Sequence, residues 1–234
     1  GEGDNTNTED PTSGTRPALS DTAFPVALDN DMKVVAYYIE WGTYARDYQV
    51  MDIPAHKLTH LNYAFVDVKA DGSVVLIDAY ADTDKHFPAT DNWNASPDSN
   101  QTECVDTEGK PRSDYRVKGN FKQLCLLQHK YPHLKILLSF GGWTKSAGFY
   151  AMAASADARV RFASEAVALT RKYGFDGIDL DWEFPVRGGM DSGSAADRDN
   201  YTAMINALHS QITAEATSSG EAPLFLTAAV YAGP

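Results

Sequence analysis

The sequence predicts an α/β fold in which strands and helices alternate around a parallel sheet. Five short segments rich in β-branched, aromatic and other apolar residues are typical of buried strands. Helical patterns lie between several of them, as they do in right-handed β–α–β units. One strand-like segment, DGIDLDWEFP at 176–185, alternates acidic with apolar residues. Together these features indicate a parallel sheet with acidic groups on one strand.

The predicted strands are recognised by their length and composition, since each is a short apolar run bounded by polar residues. In chain order they are KVVAYYIEW (33–41), LTHLNYAFVDV (58–68), LKILLSFGGW (134–143), FDGIDLDWEF (175–184) and PLFLTAAVYAG (223–233).

Three helices are predicted between the strands from apolar residues that recur at helical spacing. The first covers 119–131, the second has Asp157 as its N-cap and ends near Lys172, and the third begins near Tyr201. The residues assigned to their buried faces are Phe121, Leu124, Cys125, Gln128, Val160, Ala163, Val167, Thr170, Tyr201, Met204, Ile205, Leu208 and Ile212.

Two stretches lack this periodicity. Residues 1–31 are polar and are predicted to be a linker that precedes a single domain over 32–234. Residues 71–118 are long, polar and aperiodic, and are predicted to be an insertion loop. A loop of this length after a strand is compatible with a functional role and with a plain insertion.

Composition excludes several classes of partner. The 234 residues carry a formal net charge of −12, whereas nucleic acids and anionic membranes require Lys/Arg-rich surfaces. No apolar run approaches the roughly 18–20 residues that span a bilayer. We therefore expect neither nucleic acid nor a membrane as a partner, and a neutral ligand is compatible. The two cysteines, Cys104 and Cys125, allow either a disulfide or free thiols.

The acidic strand predicts a row of carboxyl groups. Side chains on a strand recur on one face every two residues, so Asp179, Asp181 and Glu183 share a face at intervals of about 6.6 Å. Trp182 and its apolar neighbours point to the opposite face and are predicted to be packing residues. A central parallel strand is covered on both sides by other structure. The carboxyl groups therefore line a polar interior, such as the top of a barrel.

The row of carboxyl groups allows three interpretations. One is an edge strand with one solvated face, and another is a site for a hard cation such as Ca²⁺ or Mg²⁺. The third is acid catalysis, because like charges held close together leave one carboxyl group protonated at neutral pH. Glu183 lies nearest the carboxyl end of the strand, where barrel active sites open. It is therefore the best-placed proton donor.

DGIDLDWEFP matches the DxxDxDxE motif of the family 18 glycoside hydrolases, the chitinases, and SFGGW at 139–143 resembles the SxGG motif of that family. The resemblance is closest to bacterial enzymes of the chitinase A type. It implies a (β/α)₈ TIM barrel, with 32–234 forming its N-terminal portion of about five βα units. It extends through AYYIEWGTYARDY, LTHLNYAF, KGNFKQL and LTAAVYAG.

The resemblance also implies a mechanism. Glu183 is the general acid, and the 2-acetamido group of the substrate replaces a second carboxylate as the nucleophile, which gives retention. Asp181 orients the acetamide and shares a proton with Asp179 or Glu183. The substrate is chitin or a chito-oligosaccharide, and neither a metal ion nor a cofactor is expected.

Other residues receive supporting roles. Asp176 is predicted to form hydrogen bonds around the turn at Gly177, and Phe65 is predicted to lie in the core. Stacking of pyranose rings on aromatic side chains suggests binding roles for Tyr37, Trp41 and Trp143. The residues predicted to shape the floor beside the carboxyl groups are Ser139, Gly141 and Gly142.

Several alternatives stay open on the sequence alone. The same motif serves hydrolysis of the chitobiose core of N-glycans, and related lectins bind sugar without cleaving it, although they usually lose the final glutamate. A (β/α)₈ barrel typically needs about 250 residues, so an inactive fragment is another alternative. We expect the missing C-terminal part of the barrel to be a partner in that case. An insoluble substrate implies a secreted, extracellular protein.

Overall fold

The computed structural model describes residues 32–88, 117–191 and 193–232. The predicted linker over 1–31 and much of the predicted insertion lie outside these ranges. The helices and strands of the described residues are β1 Val35–Ile39, β2 His60–Val68, β3 Val74–Leu76, α1 Gly119–Lys130, β4 Lys135–Gly141, α2 Ala147–Ala154, α3 Ala156–Lys172, β5 Gly177–Asp181, α4 Asp197–Ser219 and β6 Phe225–Ala228.

The strands form one sheet whose order is β1-β2-β4-β5-β6, with all of these neighbours parallel. The short strand β3 pairs with β2 in the antiparallel direction. Each parallel strand is thus added beside the preceding one, which is the order produced by successive βα units of a barrel. The predicted α/β fold with a parallel sheet is confirmed.

The register of the sheet brings residues of separate strands, three of them polar, into one row. Ala64 on β2 is opposite Ser139 on β4, which is opposite Asp179 on β5, which is opposite Thr227 on β6. Residues paired in this way point to the same face of a parallel sheet. The row therefore crosses the sheet near the carboxyl ends of its strands.

The hydrophobic core lies between the other face of the sheet and the helices. Trp182, which directly follows β5, is 1% exposed, and its ring stacks on that of Phe149 with centroids 5.5 Å apart. Its predicted packing role is thus confirmed. Other large buried residues of this core are Leu61, Tyr63, Leu138, Phe140, Phe162, Ile178, Leu180, Met204 and Leu208.

The stretch predicted to be an aperiodic insertion is structured where it is described. Residues 74–76 form β3, and one π-helical turn follows at Tyr80–Asp84. A strand of three residues is too short to produce a readable alternation, although it pairs with the end of β2 as a hairpin in which Val68 is opposite Val74. The remainder of the insertion, residues 89–116, lies outside the described residues.

Four of the five predicted strands end earlier than predicted, β1 and β5 among them. β1 stops at Ile39 and continues as a 3₁₀ turn, so Trp41 is not on the strand. β5 stops at Asp181, so Glu183 also lies beyond its strand. The N–H group of Glu183 donates to the hydroxyl of Ser146 at 2.8 Å instead of to a neighbouring strand. Side-chain acceptors of this kind leave no signal in the strand pattern itself.

The helices differ from prediction at their ends and in number. The N-cap of α3 is Ser155, whose hydroxyl accepts a hydrogen bond from the N–H group of Ala158; Asp157 instead lies in the first turn. Val160 is 66% exposed, because the buried face of α3 runs through Phe162 and Ala163. The unpredicted helix α2 is rich in Ala and apolar throughout, so it lacks an amphipathic pattern.

Cys125 forms a disulfide bond. Of the alternatives that the sequence left open for this residue, the disulfide therefore holds. Cys104 lies outside the described residues. Within those residues, every helix is too short or too polar to cross a bilayer.

Replacing Ser155 by Ala should lower the free energy of unfolding by about 1 kcal/mol, because the N-cap hydroxyl satisfies an otherwise unpaired N–H group. Ser155→Asp should restore most of that loss, since aspartate is an equally good N-cap. Urea unfolding of both variants checks the assignment. Equal stability of Ser155→Ala and the unmodified chain would show that the cap lies elsewhere.

Candidate active site

Asp179 is a fully enclosed carboxyl group near the carboxyl ends of the strands, with 1% of its surface exposed. One carboxyl oxygen, Oδ2, accepts hydrogen bonds from the hydroxyl groups of Tyr37 and Ser139, both at 2.9 Å. The other, Oδ1, accepts one from the hydroxyl of Thr227 at 2.6 Å. Burial of a carboxylate is costly unless it is hydrogen-bonded. These contacts fix the position of Asp179 between β1, β4 and β6.

The Tyr37 hydroxyl keeps its proton under ordinary conditions. Burial raises the pKa of this phenol well above its usual range, and the negative charge of Asp179 adds to the effect. Tyr37 therefore stays a hydrogen-bond donor to Asp179. Its ring remains 47% exposed, so the same residue also presents an apolar surface to solvent.

Asp181 lies one strand repeat further towards the carboxyl end of β5 and is 5% exposed. Burial raises the pKa of this carboxyl group, the charges of Glu183 and Asp179 add to the effect, and together they bring the pKa to about 7. Near neutral pH the group is therefore divided between its protonated and ionised forms. It can donate a hydrogen bond in one form and stabilise a positive charge in the other.

Glu183 lies in the loop after β5, where it is partly buried. Burial also raises the pKa of its carboxyl group. Its backbone is held by Ser146, whose hydroxyl accepts from the Glu183 N–H group and donates to the carbonyl oxygen of Gly142 at 3.0 Å. Ser146 thus joins the loops that follow β4 and β5. Partial burial and a raised pKa are properties of a general acid.

The two glycines of SFGGW allow β4 and its loop to approach the carboxyl groups. Gly141 and Gly142 have φ values of 105° and 97°, a region that other residues rarely adopt. A Cβ atom on Gly141 would lie 2.5 Å from the carbonyl oxygen of Asp181 and equally close to the ring of Phe149. The N–H group of Gly142 donates to that same carbonyl oxygen at 2.8 Å. Only glycine fits this approach.

Exposed aromatic rings lie in two groups beyond the carboxyl ends of the strands. After β1 and β2, the ring of Phe65 lies 6.3 Å from that of Tyr37 and 6.4 Å from that of Trp41. After β4 and β5, the ring of Trp143 lies 6.4 Å from that of Phe184. Trp41 and Trp143 are 43% and 46% exposed. This end of the sheet therefore presents apolar surface in addition to its acidic groups.

Phe65 is not a core residue, so that prediction was wrong. The pairing of β2 with β4 shifts between Ala64 and Val66 and leaves Phe65 without a partner on β4. Its ring also packs against Gly142, where an added Cβ would lie 3.0 Å away. A register shift of this kind arises from pairing between strands, and a single strand sequence does not reveal it.

Asp176 lies at the opposite end of β5 from the carboxyl groups. Its Oδ2 atom accepts hydrogen bonds from the N–H group of Ile136, at 2.8 Å, and from the side chain of Gln128. It therefore joins β5 to β4 and α1, rather than bonding around the turn at Gly177 as predicted. The distance from the acidic centre makes it a supporting residue of the fold.

Sequence reasoning missed Thr227 and Ser146, which bind Asp179 and Glu183. Both are common polar residues, and neither is adjacent in sequence to its partner. It also missed a cavity of about 550 Å³ beside Phe184, lined by Phe184, Pro185, Val186, Arg187, Tyr201 and Tyr231. In the described residues, no group of His, Cys, Asp and Glu side chains is arranged to hold a metal ion.

Comparison with known proteins places these features in a family. The model for glycosyl hydrolases family 18 matches residues 33–234. Chitinase A1 of Niallia circulans is 35% identical over 229 residues, which cover 90% of this chain and 31% of that protein. Chitinase 1 of Aphanocladium album is 37% identical over 199 residues, covering 85% of this chain and 41% of the relative. The chain thus spans less than half the length of these relatives.

Solved structures of chitinases match the fold of this chain. Chitinase ChiA74 from Bacillus thuringiensis matches with a TM-score of 0.69 and 34% identity, over 84% of this chain and 34% of that one. The Group IV chitinase of Ostrinia furnacalis in complex with allosamidin matches with a TM-score of 0.62 and 31% identity, over 86% and 44%. The parallel sheet is therefore part of a TIM barrel, as the resemblance implied. The chain belongs to family 18 of the glycosyl hydrolases.

Proposed function

We propose that the chain carries a chitinase site, which hydrolyses β-1,4 linkages between N-acetylglucosamine units with retention. The observation that carries this proposal is the row Asp179–Asp181–Glu183, in which the first carboxyl group is fixed by hydroxyl groups and the other two have raised pKa values. The relatives are named chitinases, which supports this substrate class.

Glu183 acts first as the general acid and protonates the oxygen of the glycosidic bond. The bond between that oxygen and the anomeric carbon breaks, while the carbonyl oxygen of the substrate's own 2-acetamido group attacks the anomeric carbon. An oxazolinium ion results. The Glu183 carboxylate then removes a proton from water, and the water oxygen attacks the anomeric carbon. The bond between that carbon and the acetamide oxygen breaks, which opens the oxazolinium ring and leaves the pyranose ring intact. Two inversions give net retention, and Glu183 regains its proton.

Asp181 steers the acetamide group in this scheme. A carboxyl group with a pKa of about 7 can accept the acetamide N–H as a carboxylate and so stabilise the positive charge of the oxazolinium ion. Asp179 contributes through its charge, which helps to raise the pKa of Asp181. It does so from a fixed position, because its oxygens are bound by Tyr37, Ser139 and Thr227.

The exposed rings bind the sugar chain on either side of the cleaved bond. The apolar faces of pyranose rings stack on aromatic side chains. Trp41 and Trp143 are each nearly half exposed. We assign Trp41 and Tyr37 to the non-reducing side and the cleaved sugar, and Trp143 to the leaving side.

Secretion is part of the proposal, because an insoluble polymer is reached outside the cell. The disulfide of Cys125 supports it, since disulfides persist in oxidising compartments. The chitobiose core of N-glycans is a second candidate substrate for the same motif. Two groups of exposed aromatic rings, one after β1 and β2 and one after β4 and β5, favour a linear polymer, because several of its pyranose rings can stack on them.

Replacing Glu183 by Gln should reduce turnover at least about a hundredfold, the size of contribution that a general acid makes. The assay is release of a fluorophore from a chitobioside. Asp199→Asn is the matched control, because Asp199 is an exposed carboxyl group with 87% of its side chain accessible. Full activity in Glu183→Gln would contradict the assignment of the acid, and no turnover by the unmodified chain would contradict the proposed activity.

Asp181 should make stability depend on pH. Its pKa is raised from 3.8 to about 7 on folding, so the folded chain holds a proton that the unfolded chain releases between these values. The contribution of Asp181 to the free energy of unfolding is therefore fully present at low pH. It falls as the pH rises from about 3.8 to about 7, by up to about 1.4 kcal/mol per pH unit. Urea unfolding across this range should show a weaker decline in Asp181→Asn than in Asp199→Asn. Identical declines would contradict the raised pKa.

Replacing Thr227 by Val should lower kcat by about tenfold with little change in KM, because the hydroxyl contacts Asp179 and not the substrate. Valine keeps the branched shape of threonine, so the sheet is preserved. Thr227→Ser, which retains the hydroxyl, should restore most of the rate. A Thr227→Val variant with unchanged kcat would show that this hydrogen bond has no role in catalysis.

A further inference from the structure

The backbone that follows Glu183 folds back on itself at the carboxyl end of β5. A Cβ atom added to Gly189 would lie 1.9 Å from the carbonyl oxygen of Glu183, so the backbones of these two residues are in contact. The carboxyl group of Asp197, at the start of α4, accepts a hydrogen bond from the N–H group of Val186 at 3.4 Å. Residues 183–191 therefore form a compact segment, which we call the Glu183 loop.

Tyr150 on α2 contacts this loop, and the proposed mechanism does not use it. Its hydroxyl group donates to the carbonyl oxygen of Phe184 at 3.1 Å and to that of Asp191 at 3.3 Å. A phenol has a single O–H group, so the two carbonyl oxygens share one donor. The Tyr150 hydroxyl therefore connects the residue after Glu183 to the far end of the Glu183 loop.

The ring of Tyr150 contacts the residue on the other side of Glu183. It meets the ring of Trp182 edge-on, with centroids 5.1 Å apart and planes at 88°. This is a favourable arrangement of two aromatic rings. Trp182 is also stacked on Phe149, the neighbour of Tyr150 on α2. Tyr150 thus contacts both of the residues that flank Glu183 in the sequence.

Ser146 supports the same loop from the same helix. It precedes Tyr150 by four residues, about one helical turn, so the two side chains lie on one face at the start of α2. The Ser146 hydroxyl accepts from the N–H group of Glu183 at 2.8 Å, and the Tyr150 hydroxyl donates to the carbonyl oxygen of Phe184. The backbone that carries the Glu183 side chain is therefore bound by α2 at two points.

We propose that Tyr150 is a positioning residue for Glu183, whose carboxyl group it keeps at the cleaved bond by holding the carbonyl oxygen of Phe184. A general acid must lie within hydrogen-bond reach of the atom that it protonates. A displacement of about 1 Å can cost about a hundredfold in rate. The catalytic part of this inference rests on the proposed function, whereas the hold on the Glu183 loop does not. Tyr150 does not touch the substrate in this account.

Replacing Tyr150 by Phe removes the hydroxyl group and keeps the ring that packs against Trp182. Tyr48→Phe is the matched control, because the Tyr48 hydroxyl also donates to a backbone carbonyl oxygen, that of Asp52 at 3.0 Å. This second hydrogen bond lies in the segment after β1 and not in the Glu183 loop. The two variants therefore lose the same kind of interaction at different places.

Amide hydrogen exchange in the complete chain, followed by NMR, tests the hold on the loop without a substrate. Tyr150→Phe should speed exchange of the Glu183 amide about fivefold, because the loop opens more readily after the loss of one hydrogen bond. Tyr48→Phe should leave this rate unchanged. Unchanged exchange of the Glu183 amide in Tyr150→Phe would overturn the proposal, as would an equal increase in Tyr48→Phe.

Release of a fluorophore from a chitobioside tests the effect on catalysis. Tyr150→Phe should lower kcat about tenfold with KM unchanged, because the acid is displaced while the sugar-binding surface is not. Tyr48→Phe should leave both constants unchanged. A Tyr150→Phe variant with unchanged kcat, or with a raised KM as its only defect, would overturn the role in positioning Glu183.

A lack of turnover in the unmodified chain would contradict the proposed activity and leave nothing for Tyr150 to assist. The exchange rates are independent of turnover. They would still decide whether the Tyr150 hydroxyl holds the backbone beside Glu183.

Discussion

The hydrogen bonds that Asp179 accepts are the interaction on which the site depends. They come from Tyr37 on β1, Ser139 on β4 and Thr227 on β6, so one carboxyl group on β5 contacts three other strands. Because Asp179 is almost fully buried, loss of these donors would leave a desolvated charge, which is strongly unfavourable. The register of the sheet and the position of the charge are therefore fixed together.

The chemistry of the neighbouring groups follows mainly from their burial, to which the charge of Asp179 adds. Asp181 is enclosed and lies beside two other carboxyl groups, and its pKa is raised to about 7. Burial likewise raises the pKa of the Tyr37 phenol, and the charge of Asp179 adds to the effect, so the phenol keeps its proton. Glu183 is more accessible than either aspartate, and burial is the cause of its raised pKa. Three acids on one strand end thus have three different environments, which acid–base catalysis requires.

Features that depend on local sequence could be predicted. The two-residue repeat of a strand was enough to align Asp179 with Asp181, and the adjacent glycines identified the neighbouring strand. Features that depend on pairing between strands could not be predicted. Thr227 faces Asp179 because of the register of β5 with β6, and Phe65 leaves the core because β2 shifts against β4. No periodicity within a single segment contains that information.

The Asp181 carboxyl group on β5 carries a proton near neutral pH because it is buried, with the charges of Glu183 and Asp179 beside it. A ¹³C NMR titration of the chain, labelled at the aspartate carboxyl carbons, tests this most directly. The account predicts one resonance with a midpoint near pH 7 that disappears in Asp181→Asn, consistent with the raised pKa of that group. If Asp181→Asn instead removes a resonance that titrates near pH 4, the ordinary range for aspartate, the account is contradicted.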